Sequence, residues 1–556
     1  VTTVVPGPVE QAGTVPQVSD AVFARVPTVL ERWLGSTIAV LVPGTGSVVV
    51  LDGVGALTWA GLAHPASVDD LVEAIISVSV PDGGPDEAWL RVVDAIDQLV
   101  DAGLVVEVAP DHTTSRPHAP QAVPGGHTEA VASAGAEPVT APLAPSPALP
   151  PSRPPRPSTP FPGPRASSRP PGRSAEPHDR VEALLAHLAV HHLPGAPAAP
   201  PGLLEDLPAS LVRRVVDRSV AERVSGSVVS AVQAGLVDLG DEGSADLFRR
   251  HGDELARSLL REELLWELAG AFAAAEVTYR VIKGPAVAHL DEPDPSRRTF
   301  GDLDLLVRVS DLDRAVALLR RDGATRPWAE RRPGYDARFA KSVTLTTTAG
   351  IEVDVHRSLC DGAHGFRVPL DRLFASSEPF RLADREVPAL VVAHRLLHAG
   401  YHAVLGSPRP RLMSLRDLAG YLTRPDLDVD AITAEVAVWR GEAVLATAVR
   451  ATGMAFGWLP EPWAAWLDAV EVTPAEQRIV ARQQVEGSSF GPAKLDAVRE
   501  LPWRDRPAYA MGVAVPSREH LRSRDLHRLD LVRGIPARWA RRARRARRLS
   551  RRGPSA

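Results

Sequence analysis

Phe300-Gly301-Asp302-Leu303-Asp304-Leu305-Leu306-Val307 is the stretch from which the fold is read. Its apolar residues predict a strand, in which positions two apart share a face. Asp302 and Asp304 then project together, with Leu303 and Leu305 on the other side. Two like charges on the face of a largely apolar strand are costly unless something compensates them. A divalent cation is the obvious compensation, because hard cations prefer oxygen ligands. A second run, Ile351-Glu352-Val353-Asp354-Val355-His356, offers Asp354 with Glu352 and His356 on its face. A third carboxylate from a neighbouring strand would complete a two-metal site for phosphoryl or nucleotidyl transfer.

The elements around these runs are legible. Leu264, Leu265, Leu268, Ala271 and Phe272 form an apolar stripe that predicts an amphipathic helix over 261–275. A strand over 277–282 leads into the turn Lys283-Gly284-Pro285, followed by a short helix over 286–290. A loop with Arg297 and Arg298 enters the acid-pair strand. Ser310 is the expected cap of a helix over 311–321, and Gly323 ends it. Residues 342–347 and 351–356 predict a hairpin across Thr348-Ala349-Gly350.

The order and the residues resemble the DNA polymerase β-type nucleotidyltransferase superfamily, and more narrowly its uncharacterised bacterial branch. The resemblance spans about 250–420. It rests on Lys283-Gly284-Pro285-Ala286, on Arg298-Thr299-Phe300-Gly301-Asp302-Leu303-Asp304-Leu305-Leu306-Val307 and on Val353-Asp354-Val355-His356. It implies that Asp302, Asp304 and Asp354 are catalytic and hold Mg²⁺, with Mn²⁺ as a substitute. Asp354 would hold a second ion or act as base towards the acceptor hydroxyl. Lys283, Gly284, Arg298 and Gly301 are the expected nucleotide-binding residues. The wider superfamily carries Gly-Ser where this chain has Gly284-Pro285, so a hydroxyl expected near the triphosphate is missing. Gly284 still lets the backbone approach a phosphate, and Pro285 suits the first helical position.

A separate unit is expected over 21–108. Residues 37–42 and 47–51 predict a hairpin, and three helices follow. The first has Leu57, Trp59 and Leu62 as core candidates. Ser67 with Asp70 caps the second, and Asp86 is the expected cap of the third, which carries Leu90, Val93, Ile96 and Leu99 and stops at Gly103. A small sheet with three helices is a winged-helix plan. Three pieces in order, 48–59, 67–71 and 99–105, resemble the PqqD-like family. That resemblance implies recognition of a leader peptide along a strand edge, in ribosomal peptide natural-product biosynthesis.

The fold class expected is therefore α+β: a small winged-helix-like N-terminal domain, a Pro-rich linker, and a polymerase β-type nucleotidyltransferase core embedded in helices. Residues 1–20 are expected to be a flexible leader and 109–178 a disordered linker that leaves its neighbours independent, since its Pro, Ser, Ala and Gly cannot bury enough apolar area to fold. A helical lead-in and the core occupy 179–375, a helical C-terminal domain 376–530, and an Arg-rich tail 531–556. His394, His398 and His402 share one face of a helix predicted over 391–405. That spacing suits a packing or substrate-lining face better than a zinc site, because no acid signature or Cys accompanies it.

Composition narrows the class. A chain of 556 residues is too long for one core. The single cysteine, Cys360, excludes an intrachain disulfide and fits a reducing cytoplasm. No transmembrane run or signal peptide is evident. The net charge of −5 hides an asymmetry: 533–556 holds about ten Arg and no acid, so the remainder carries about −15. That tail reads as solvated, with nucleic acid or anionic lipid as alternative partners. The function expected is Mg²⁺-dependent transfer of NMP from an NTP to a peptide or small-molecule acceptor. Two alternatives stand beside it: a non-catalytic peptide- or nucleotide-binding adaptor, and an antitoxin-type nucleotidyltransferase acting on RNA or protein.

Overall fold

The computed structural model describes residues 21–108 and 177–524, with short breaks at 27–28, 35–36, 43–44, 46, 52, 79–83, 408 and 486–491, together with the two-residue strand Thr2–Thr3. Most of the expected leader, the linker up to residue 176 and the Arg-rich tail lie outside the described residues.

The architecture is α+β. Its centre is a mixed six-stranded sheet in the order Ser342–Thr346, Glu352–His356, Leu303–Val307, Tyr279–Val281, Arg385–Ala389, Glu378–Leu382. Glu352–His356 and Leu303–Val307 run parallel, as do Tyr279–Val281 and Arg385–Ala389; the other neighbours are antiparallel. The last two strands belong to this sheet, so the expected division at 375/376 cuts through the core. The acid-pair strand is covered on both faces. Leu303, Leu305 and Val307 pack with Leu265, Leu268 and Phe272 of the long helix Gly240–Ala274. Leu306 packs on the other side with Leu396, Leu397 and Tyr401 of the helix Val392–Leu405. Full burial of each such side chain contributes about 1.5–3 kcal/mol. Asp304 shares the Leu306 face, which places it between the sheet and that second layer of helices. Arg395 clamps this layer down, donating to Asp291 at 2.7 and 2.8 Å and to Glu378 at 2.8 Å.

Some local expectations shift. The strand begins at Leu303, so Asp302 sits in the bend before it. The expected helix over 311–321 is Leu312–Arg321, preceded by a 3-10 turn. Ser310 does not cap it; the Asp311 carboxylate instead accepts from the Thr278 N–H.

The N-terminal unit pairs Thr37–Val42 with Ser47–Leu51 and adds three helices, Gly53–Gly61, Val68–Val78 and Gly84–Asp101. Ser67 and Asp70 form a reciprocal cap at 2.7–3.2 Å. Gly103, at φ +70°, closes the third helix through Leu104 N–H to Leu99 C=O at 2.9 Å. That helix starts at Gly84, so Asp86 lies inside it rather than at its cap. Leu90 is exposed, and the buried stripe runs through Ala88, Val92, Ile96 and Leu99.

The hairpin is covered on both faces. Ile38, Val40, Val49 and Leu51 meet the unit's own helices, while Ala39, Leu41 and Val48 pack with Leu30 against Ala256 and Leu259 of the long helix. Beside this seam Arg32 pairs with the buried Glu262 and comes within 2.6 Å of His289 Nε2. Burial alone would raise the Glu262 carboxyl, but Arg32 and His289 hold it below its ordinary value. The unit is thus docked on the core, against the expectation of independence. Thr2–Thr3, within the expected leader, pairs in parallel with Val49 and Val50 on the outer edge of Ser47–Leu51.

Candidate active site

Parallel pairing sets Asp354 directly beside Asp304, and antiparallel pairing sets Thr344 beside Asp354. Thr344 Oγ1 donates to Asp354 Oδ1. His356, one step further along, places Nε2 2.8 Å from Asp304 Oδ1 and 3.8 Å from Asp354 Oδ2. Ligand atoms of Asp304, Asp354 and His356 all lie within 4.8 Å of one another.

Lys283 enters from the turn after Tyr279–Val281. Its Nζ lies 2.9 Å from Asp304 Oδ2 and 3.2 Å from Asp302 Oδ2. The two acids of the bend and strand therefore do project together, held by an ammonium. Among the described residues, Lys283 joins Asp302 to the cluster. Burial would push the Asp304 carboxyl up, but Lys283 and His356 hold it far below the carboxylate range. Burial likewise opposes charge on Lys283, and Asp304 and Asp302 outweigh it, raising the amine. Glu352 is raised by burial and by Asp354, Asp302 and Asp304.

The donor set fits a divalent cation. Two carboxylates supply oxygen, and the imidazole is oriented: His356 Nδ1 lies 3.1 Å from the Ser358 carbonyl, which can only accept. That nitrogen donates to the carbonyl, while Nε2 is aimed into the cluster as the donor to Asp304; a cation there would take that proton's place, with the outer hydrogen bond holding the ring.

A cavity of about 400 Å³ opens at the Asp302 end, lined by Lys283, Gly284, Arg298, Asp302, Arg223 and Arg411 among others. Gly284 has φ +60°, and a Cβ there would stand 3.4 Å from the Phe300 ring. The helix it opens, Pro285–Leu290, has only six residues. Arg298 is buried and committed: its guanidinium binds Asp417 at 3.0–3.2 Å. Its charge is therefore largely spent within the protein, contrary to a free phosphate-binding role. Gly301 serves a neighbour, since a Cβ there would come 2.6 Å from Arg223 Nη2.

Arg223 and Arg411 were missed by sequence reading. Neither has a side-chain hydrogen bond or ion pair among the described residues, and both border the cavity. Arg223 sits in the turn after the helix Ala209–Ala221, at φ +58°, far from any motif. The three histidines part company. His394 meets Glu435 at 3.4 Å and the Trp439 ring, His398 Nδ1 lies 3.0 Å from the Ile282 carbonyl, and His402 lines the cavity. Burial, then Lys283, drives His398 down to about 3 and His402 well below its ordinary value.

Residues 209–457 match a protein family described as "Uncharacterised nucleotidyltransferase". The match covers every residue of the cluster and both cavity arginines. It supports nucleotidyl transfer as the chemistry of this segment, with an NTP as substrate. No match to a curated protein was found. Among solved structures, an antigenic nucleotidyltransferase-like protein from Paracoccidioides brasiliensis is 14% identical, with 37% of this chain and 93% of that one covered and a TM-score of 0.22. That similarity is too slight to bear on the fold. No helix among the described residues is long and apolar enough to cross a membrane.

Proposed function

We propose that this chain is a divalent-metal-dependent nucleotidyltransferase that moves NMP from an NTP to a hydroxyl of a peptide or small-molecule acceptor, releasing pyrophosphate. The observation that carries the reading is the register pair Asp304–Asp354, with His356 closing the cluster and Lys283 bridging Asp304 to Asp302. Asp304, Asp354 and His356 would hold the ion, with Asp302 near the nucleotide. A bound divalent cation there supplies charge neutralisation for the triphosphate and for the attacking oxygen. Mg²⁺ is served by the carboxylates; the imidazole adds a preference for Mn²⁺. Lys283 neutralises phosphate charge, Gly284 gives the backbone room, and Gly301 leaves space for the Arg223 guanidinium. Arg223 and Arg411 take the phosphate role that sequence reading gave to Arg298, which positions the loop through Asp417.

The N-terminal unit is read as a peptide-recognition element of PqqD-like type, receiving a leader peptide by strand addition in cytoplasmic ribosomal-peptide biosynthesis. The outer edge of Ser47–Leu51, where Thr2–Thr3 already pairs, supports strand addition as its mode of binding. The test is label transfer from α-labelled NTPs with Mg²⁺ or Mn²⁺ and peptides from the same gene cluster. Absence of transfer and of NTP binding under all these conditions would refute the enzyme reading and favour the adaptor.

A further inference from the structure

We propose that a second cavity, behind the hairpin of Ser342–Thr346 and Glu352–His356, is the acceptor site, and that it takes an acceptor carrying an oxyacid anion, phosphate or carboxylate. This rests on the nucleotidyl-transfer reading above.

Three observations carry it. The first is position. Asp304, Asp354 and Thr344 stand in one register row across three strands. The cavity holding Arg223 and Arg411 opens at the Asp302 end of that row. The second cavity, of about 270 Å³, opens at the Thr344 end, and Thr344 both lines it and donates to Asp354. The two cavities thus flank the acids from opposite sides.

The second observation is charge. Arg326, Arg331, Lys341, Lys494 and Arg524 line this cavity, against the carboxylates of Asp336 and Asp361. Arg326 is already paired with Asp336. Lys341 and Lys494 have no hydrogen bond or ion pair through their side chains among the described residues, although the charge of Lys341 acts on Asp304; Arg331 lies 5.9 Å from the Tyr335 ring and its charge acts on Asp336. Five cations gathered in a concave site with two carboxylates repel one another, and an anion relieves that cost through charge-assisted hydrogen bonds. The chain has only three lysines; two face this cavity and the third is Lys283.

The third observation is construction. The C-terminal helices wall the cavity. Lys494 comes from Pro492–Glu500, and Ser517 and His520 bind the backbone of 329–331, through Ser517 N–H to Arg331 C=O at 2.7 Å and His520 Nδ1 to Ala329 C=O at 2.6 Å.

In the step so arranged, the acceptor hydroxyl oxygen bonds to the α-phosphorus of the NTP. The bond from that phosphorus to the α,β-bridging oxygen breaks, and its electron pair leaves with pyrophosphate. The hydroxyl proton passes to the Asp354 carboxylate.

The test is calorimetry on the full chain with the first cavity saturated by a non-hydrolysable NTP analogue, titrating inorganic phosphate and, separately, acetate. The native protein should bind at least one anion; whichever binds identifies the source. Lys341→Gln with Lys494→Gln should weaken that binding by about tenfold or more while the NTP analogue binds as before. Lys494→Gln alone, on a partly exposed helix, gives the same direction with smaller loss and guards against misfolding of the double variant. No anion binding in the native protein, or undiminished binding in the folded variants, would overturn the acceptor site and leave the transferase reading intact. Failure of the native protein to bind the NTP analogue would overturn both.

Discussion

Lys283 Nζ lies within 3.2 Å of both Asp302 and Asp304, so the charge repulsion between these acids is already compensated inside the protein. This reverses a simple expectation about removing the acids. Relief of repulsion would make the variants more stable; loss of a buried partner makes them less so.

Asp304→Asn is expected to abolish label transfer and to lower stability measurably, because it takes the nearer of two carboxylates from a half-buried ammonium and leaves it only Asp302. Asp302→Asn, at a position 30% exposed, is expected to lower activity with little effect on melting temperature. Denaturant titration of both variants checks the contrast; equal stability would contradict the role assigned to Lys283.

His356 predicts a metal preference. Mn²⁺ should support faster transfer than Mg²⁺, and His356→Ala should erase that advantage while weakening Mn²⁺ binding roughly tenfold or more. Electron paramagnetic resonance of free Mn²⁺ reads the affinity without reference to turnover. Unchanged Mn²⁺ affinity would remove His356 from the donor set.

Gly301→Ala should raise KM for the NTP with little change in kcat or stability. The new methyl group displaces only the end of the flexible Arg223 side chain. Arg223→Gln should reproduce the effect, and a kcat/KM series for both variants decides it.

Acid should loosen the loop that leads into the site. His251 is fully buried, with Nε2 3.0 Å from the Ser296 carbonyl, and burial lowers it to about 4. Its folded value lies below its unfolded one, so the unfolded chain binds the proton first. Stability from this residue is present above pH ~6.5 and is lost as pH falls towards ~4, by up to about 3 kcal/mol. His251→Gln should flatten that part of the pH–stability curve.

Cleavage between 109 and 176 should leave the two fragments associated, since Leu41 and Val48 pack on Leu259 and Arg32 holds Glu262. Gel filtration after limited proteolysis should show one peak, and Leu41→Asp with Arg32→Ala should split it.

The sequence revealed features whose physics is local. Alternation in 300–307 and 351–356, the Ser67–Asp70 cap and the Gly103 stop are each decided within a few residues. It did not reveal pairings between distant segments. Asp417 neutralises Arg298 from 119 residues away, and no spacing rule reports that. Arg223 reaches the site from a helical lead-in that shows only an apolar stripe. Leu90 fits a helical period but lies on the outward side, because periodicity gives a stripe and the neighbours choose its orientation. The run Ile38-Ala39-Val40-Leu41-Val42 held a clue: apolar residues at every position mark a strand covered twice, and the second cover is the long helix.

The docking of the N-terminal unit through Arg32, Glu262 and His289 has a metric consequence. A peptide gripped on the Ser47–Leu51 edge would start from a fixed point, and an extended chain advances about 3.3–3.6 Å per residue. The modified residue would then be chosen by counting along the precursor from its grip, as with a caliper, and inserting or deleting a few residues between the two would move the mark to a different side chain.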